Sequence, residues 1–147
     1  MAYDPMSPDA ATIARGVARV FGDLGFACMT ELTLANRRRA DICMLGQGGE
    51  ISIVEVKSSI SDFRSDAKWP DYKPYCDRFF FAVSHAFPKD LIPETAGLIV
   101  ADGFGGAILR EPVAAPLSPA RRKAMTLRFA RIAAARLMRL DGLAHTD

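Results

Sequence analysis

Ile13, Val17, Val20, Phe21 and Leu24 recur at helical spacing, which places one apolar stripe on a helix running from Asp9 to Leu24. Ser7 or Asp9 can cap its start, and Gly22 and Gly25 mark its end. Three short runs then read as strands: Ala27–Leu34, Ala40–Leu45 and Ile51–Lys57. Asn36 lies in the first connection and Gly46-Gln47-Gly48-Gly49 makes the second. Connections of this kind join antiparallel neighbours, so the three strands are expected to form a meander. From Ser58 to Tyr75 charges and aromatics are mixed, which predicts one or two helical turns broken near Pro70. Arg78–Ser84 is strongly apolar and reads as a buried strand. Leu98–Ala101 and Ala107–Arg110 flank Asp102-Gly103-Phe104-Gly105-Gly106, the signature of a hairpin. A last helix is predicted from Ser118 or Pro119 to Leu140, with proline in the first turn, where its missing N–H costs nothing.

Helix, three strands, helix, strand is the order of an α/β domain whose mixed sheet is flanked by helices, here with an added C-terminal helix. No repeat, low-complexity tract or linker divides the 147 residues, so residues 1–147 are expected to form a single domain. No apolar run approaches the roughly 20 residues needed to cross a bilayer, and Met1-Ala2-Tyr3-Asp4-Pro5 lacks the basic start of a signal peptide. Cys28, Cys43 and Cys76 are odd in number and have no Cys-x-x-Cys spacing, which argues against a disulfide framework or structural zinc. A reduced, cytoplasmic setting is expected. The net charge of +2 does not announce a polyanionic partner, but its distribution is uneven. Arg37-Arg38-Arg39 form a basic knot, and from Pro119 to Leu140 seven Arg or Lys residues stand with no acid among them. That run makes either a positive face or an ordinary solvated one.

The chemistry concentrates in strands two and three. Side chains alternate along a strand, so Asp41, Cys43 and Leu45 share one face, as do Ile51, Ile53, Glu55 and Lys57. An antiparallel register with Leu45 opposite Ile51 sets Asp41 opposite Glu55, whereas a slip of one residue would separate them. Folding about Asn36 can also bring Glu31 opposite Asp41, giving three acids in a row. Like charges directly opposed destabilise a sheet, and a divalent cation, Mg²⁺ or Mn²⁺, is the natural compensation, with Asp41 and Glu55 as its ligands. Lys57 beside it can orient the attacking water and balance charge on a phosphoryl group.

Other residues carry two readings each. Glu31 is a third acid or a partner for a nearby arginine. Arg37, Arg38 and Arg39 grip phosphates or merely keep a hairpin tip soluble. Lys68 and Tyr72 are spaced to share a helix face and contact the nucleic-acid backbone, while Trp69 stacks on a base or fills the core. Asp62 and Asp66 read as solvated helix positions. Cys43 reads as a small hydrophobe, and His85 and His145 have no partner pattern that would assign them a role. The Gly103–Gly106 cluster lacks a phosphate-loop lysine and reads as a turn.

Asp41 followed by Ile53-Val54-Glu55-Val56-Lys57 after a Gly-rich turn resembles the PD-(D/E)xK nuclease signature, with Ala40 where the nominal motif has proline. A longer resemblance, to the MmcB-like family of bacterial DNA-repair proteins, covers most of the chain. It rests on Thr30-Glu31-Leu32, Arg38-Arg39-Ala40-Asp41-Ile42, Val54-Glu55-Val56-Lys57-Ser58-Ser59, Asp62-Phe63, Lys68-Trp69-Pro70-Asp71-Tyr72 and the run from Cys76 to Val83. Gly97–Asp102 and the Ala/Arg-rich C-terminal helix fit it too. The resemblance implies a restriction-endonuclease-like fold, a bacterial cytoplasmic setting and a role in the DNA-damage response; joined to the candidate site, it leads to the expectation of a metal-dependent nuclease acting on damaged, branched or single-stranded DNA. It leaves open cleavage against a catalytically inactive adaptor role, a repair-protein partner, and a homodimer.

Overall fold

The structure is a computed structural model and describes residues 9–143. Helix α1 spans Ala10–Asp23, opened by Asp9, whose Oδ1 accepts the Thr12 N–H at 2.8 Å. It buries Ile13, Gly16, Val17 and Phe21, the stripe that helical spacing requires. Strands β1 (Ala27–Thr33), β2 (Arg39–Leu45) and β3 (Ile51–Val56) follow, then α2 (Ile60–Ser65) and a 3₁₀ helix over Trp69–Tyr75. The helical segment is broken at Asp66–Lys68, close to Pro70 as expected, though Pro70 itself is not the breaking residue. It sits in the first turn of the 3₁₀ helix, where proline is tolerated. Strand β4 covers Arg78–Val83, a short 3₁₀ turn Lys89–Leu91, β5 Gly97–Ala101 and β6 Gly106–Arg110. Asp102 Oδ1 accepts the N–H groups of Phe104 and Gly105, and so closes the β5–β6 hairpin. Helix α3, Pro119–Leu140, is capped by Ser118.

The six strands lie in chain order in one mixed sheet. β1, β2 and β3 are antiparallel neighbours, β4 and β5 continue in parallel, and β6 returns antiparallel. α1 covers one face, against Ile42, Met44, Val54, Val56, Phe80 and Ile99. The other face presents Cys43, Ile53, Phe79, Phe81, Val83 and Leu98 to Phe63 of α2, Trp69 and Tyr72 of the 3₁₀ helix, and Met125 and Phe129 of α3. Covered on both sides, β4 and β5 are apolar throughout after Arg78, as parallel strands must be. α1 reaches the β5–β6 hairpin closely enough that a Cβ on Gly16 would overlap the Asp102 carbonyl.

Two sets of polar bonds fix α3. Arg122 forks onto the buried Asp77 with bonds of 2.7 and 2.6 Å, and that carboxylate also accepts the Ile51 and Leu117 N–H groups. Burial works to raise the Asp77 pKa, but Arg122 and the two backbone donors outweigh it and hold the carboxyl at about 2. Farther along, Arg128 donates to the Thr33 carbonyl, and Arg136 to those of Thr30 and Glu31. These bonds satisfy carbonyls of the edge strand β1. Among the described residues no helix is long and apolar enough to cross a membrane.

Candidate functional site

The β2–β3 register pairs Leu45 with Ile51 and Ile42 with Val54, and one further step sets Asp41 beside Glu55. The two are tied through the backbone. The Asp41 N–H donates to Glu55 Oε1 at 3.1 Å, and the Val56 N–H donates to Asp41 Oδ2 at 2.8 Å. Each carboxylate thus spends one oxygen on a cross-strand N–H. Glu55 lies between Ile53 and Lys57 on the face covered by the 3₁₀ helix, and it is only 5% exposed.

Burial and the neighbouring Asp41 charge push the Glu55 pKa up to about 8. Asp41 is also raised, by burial, against the lowering pull of the Val56 N–H. Two acids so close, one buried and one half-buried, cannot both ionise without compensation.

Lys57, just beyond β3, is 6% exposed, and a buried ammonium needs a partner. That partner is Asp66, 2.8 Å from Nζ, with Asp62 at 4.0 Å. The local sequence explains why α2 delivers these acids. Ser59 caps α2 by accepting the Asp62 N–H, while Asp62 reaches back to the Ser58 N–H, a reciprocal cap of the kind that fixes a helix start. Asp66 ends the helix and accepts the Lys68 N–H at 3.0 Å. Burial works to raise its pKa, but Lys57 and the Lys68 N–H prevail, and the carboxyl lies below its ordinary value. Asp62 and Asp66, read from sequence as solvated helix positions, are therefore the ion partners of Lys57. No spacing rule signals this, because the contact depends on the path of α2.

The β1–β2 register, with Thr30 opposite Ile42 and Leu32 opposite Ala40, sets Glu31 level with Asp41 as expected, but among the described residues the Glu31 side chain does not complete a row of three acids. Its φ of +54° interrupts the strand's alternation, so Thr30 and Glu31 are both exposed between the buried Met29 and Leu32. Among the described residues no three His, Cys, Asp or Glu side chains are grouped to hold an ion. The Asp41–Glu55 pair nonetheless fits Mg²⁺ or Mn²⁺ in its chemistry. Its donors are hard oxygens, its charge is not balanced by the engaged Lys57, and such ions often take one or two carboxylates with water and phosphate completing the shell.

The basic hairpin tip is held beside this pair. Asn36 Nδ2 donates to the Asp71 carbonyl, Arg38 pairs with the Asp71 carboxylate at 3.3 Å, and the Tyr72 hydroxyl donates to the Arg39 carbonyl at 3.0 Å. Arg37 and Arg39 are exposed and Arg38 half-buried. Lys68 is exposed. Tyr72 is buried with its hydroxyl engaged. Burial, followed by the charges of Glu55 and Asp41, raises its pKa, so it braces the hairpin next to the acids. Trp69 stacks on Phe79 at 5.5 Å and meets Phe81 edge-on, so it is part of the core. Ser7 and His145 lie outside the described residues.

The model of the DNA repair protein MmcB-like family matches residues 3–144. The chain belongs to the MmcB-like DNA-repair protein family. Among solved structures it is similar to the SPO1766 protein of unknown function from Silicibacter pomeroyi, with 41% identity and a TM-score of 0.89. The match covers 99% of this chain and 98% of that one. No curated protein matches. Family membership attaches the chain to DNA repair, and the similar structure, itself without a known function, supports the fold.

Proposed function

We propose that this MmcB-like chain is a metal-dependent endonuclease that hydrolyses DNA phosphodiester bonds during repair in the cytoplasm, on damaged, branched or single-stranded DNA. The observation that carries the reading is the Asp41–Glu55 pair, half-buried and buried respectively, tied at 3.1 Å across β2 and β3 with Lys57 at the strand's end. Asp41 and Glu55 would hold Mg²⁺ or Mn²⁺, which supplies Lewis acidity and a lowered water pKa when bound. Glu55, whose pKa its surroundings push up to about 8, would release its proton in holding the cation. Lys57 orients the water and offsets charge on the phosphoryl oxygens, which requires its ammonium to leave or share Asp66. Arg37, Arg39 and Lys68 grip the backbone, with Arg38 and Tyr72 fixing the hairpin that presents them.

A second reading is a catalytically inactive DNA-binding adaptor, working with a repair-protein partner or as a homodimer. The engagement of Lys57 by Asp66 at 2.8 Å and the absence of Glu31 from the acid pair favour it. The test is cleavage of duplex, nicked, forked and single-stranded DNA with Mg²⁺ or Mn²⁺, beside Lys57→Ala and Asp41→Asn. Cutting that both substitutions abolish supports the nuclease. Salt-sensitive binding without cutting in either metal replaces it with the adaptor.

A further inference from the structure

Between α3, the 3₁₀ helix and the β1–β2 hairpin lies a groove of about 570 Å³, separate from the acid pair. Arg121, Arg128 and Arg131 line it, with Tyr75, Met125 and Ala35 among its other walls. No acidic residue lines it, and among the described residues none of the three arginines has a salt-bridge partner. Arg128 spends one nitrogen on the Thr33 carbonyl, which leaves its charge uncompensated. The Arg121 guanidinium carbon lies 4.5 Å from the centroid of the Tyr75 ring, a cation–π stack.

We infer that this groove binds single-stranded DNA, a reading that rests on the DNA role proposed above and assigns it a surface. Charge names the ligand class: three unpaired guanidiniums facing one cavity call for a polyanion. Size and aromatic content narrow it. The cavity holds a nucleotide or two and is far too small for a duplex. Arg121, stacked on Tyr75, offers its outer face to an unpaired base, and arginine planes and aromatic rings are the usual platforms for splayed bases. Position links the groove to the acid pair. Tyr75 follows Tyr72 by three residues on the 3₁₀ helix, so the two side chains lie along one stripe. Tyr72 braces the hairpin beside the acids, and Ala35 of the same hairpin walls the groove. A strand seated there leads toward Asp41 and Glu55 from the unpaired side of a fork or nick.

The test is fluorescence anisotropy with labelled oligo-dT and a hairpin duplex, in EDTA across a range of salt, on the full chain. Wild type is compared with Arg121→Ala/Arg131→Ala, Arg121→Lys, Tyr75→Leu and Arg19→Ala, each checked for an unchanged melting temperature. Arg131 is exposed and Arg121 half-buried, so the arginine variants should fold, and Arg121→Lys keeps the charge where Tyr75→Leu disturbs packing. The expected result is a tenfold or greater loss of oligo-dT affinity and a shallower salt slope in the double variant. Arg121→Lys should lose several-fold, and Arg19→Ala, an exposed arginine of α1 on the opposite face of the sheet, should bind like wild type. Wild-type affinity in the double variant, or a preference for duplex, overturns the groove while leaving the DNA role standing. No binding of any DNA by wild type overturns both. If an acidic peptide competes as well as oligo-dT, the groove is a protein-docking surface and the inference fails.

Discussion

Asp41 donates its backbone N–H to Glu55 Oε1 at 3.1 Å, so the acid that most needs a compensating charge is held by the strand carrying its like-charged neighbour. With Glu55 raised from 4.5 to about 8, the metal-free folded chain binds more protons than the unfolded chain between those values. Stability therefore falls as pH rises through that window and levels off above it. Glu55→Gln should flatten the profile and be more stable than wild type at pH 9, by roughly 1–3 kcal/mol. Urea midpoints from pH 5 to 9 in EDTA measure this, and parallel curves for the two proteins would refute it. A cation competes with the same proton, so the Mn²⁺-induced rise in melting temperature should grow from pH 6 to pH 8.5.

Lys57 and Asp66 form the second charged pair of the region, 2.8 Å apart with the lysine almost wholly buried. Removing the acid strands the ammonium, with Asp62 at 4.0 Å as a poor substitute. Asp66→Ala should cost about 1–3 kcal/mol. Lys57→Met should relieve much of that cost in the double variant. A thermodynamic cycle of the four proteins is the measurement, and additive losses would show that the pair is not coupled.

The Asp41–Glu55 apposition was legible in the sequence because it follows from parity. Alternating apolar residues on either side of a short glycine-rich turn allow few registers, and the one that buries Ile51 and Ile53 also aligns the acids. The same logic placed Glu31 level with Asp41 but not its side chain, which one left-handed residue takes out of the strand's alternation. Nothing in Thr30-Glu31-Leu32 announces that conformation. The partners of Lys57 were hidden for another reason: Asp62 and Asp66 approach it only because Ser58 and Ser59 turn the chain into a capped helix directly after β3. Lys68 and Tyr72, expected on one exposed face, were separated by the 3₁₀ winding and by the aromatic stack, which draws Tyr72 against Phe79.

Asp77 joins three parts of the chain, accepting from Ile51 of β3, Leu117 of the loop before α3 and Arg122 of α3. Its pKa is depressed to about 2, so its contribution is present above its ordinary value of 3.8 and is lost as pH falls from there toward 2. Asp77→Asn should lower stability at pH 7 by about 2–4 kcal/mol and make it less sensitive to acid between pH 4 and pH 2. Circular dichroism melts over that range decide the matter. An unchanged acid profile would mean that another carboxylate governs it.

Glu31 offers a prediction that separates stability from site chemistry. A non-glycine residue at φ +54° is strained by its Cβ, at a cost of roughly 1–2 kcal/mol. Its side chain is exposed, and its backbone carbonyl, which accepts from Arg136, survives any substitution. Glu31→Gly should therefore stabilise the fold by up to about 1 kcal/mol, after the extra entropy of a glycine in the unfolded chain is counted. Glu31→Ala keeps the strain and should change stability little. Because Glu31 stands outside the acid pair, neither variant should alter Mn²⁺ binding or metal-dependent cleavage, whereas Asp41→Asn should abolish both. Melting curves and metal titrations on the three variants are the check. A loss of metal affinity in both Glu31 variants would restore it as a third ligand, one that the cation draws in.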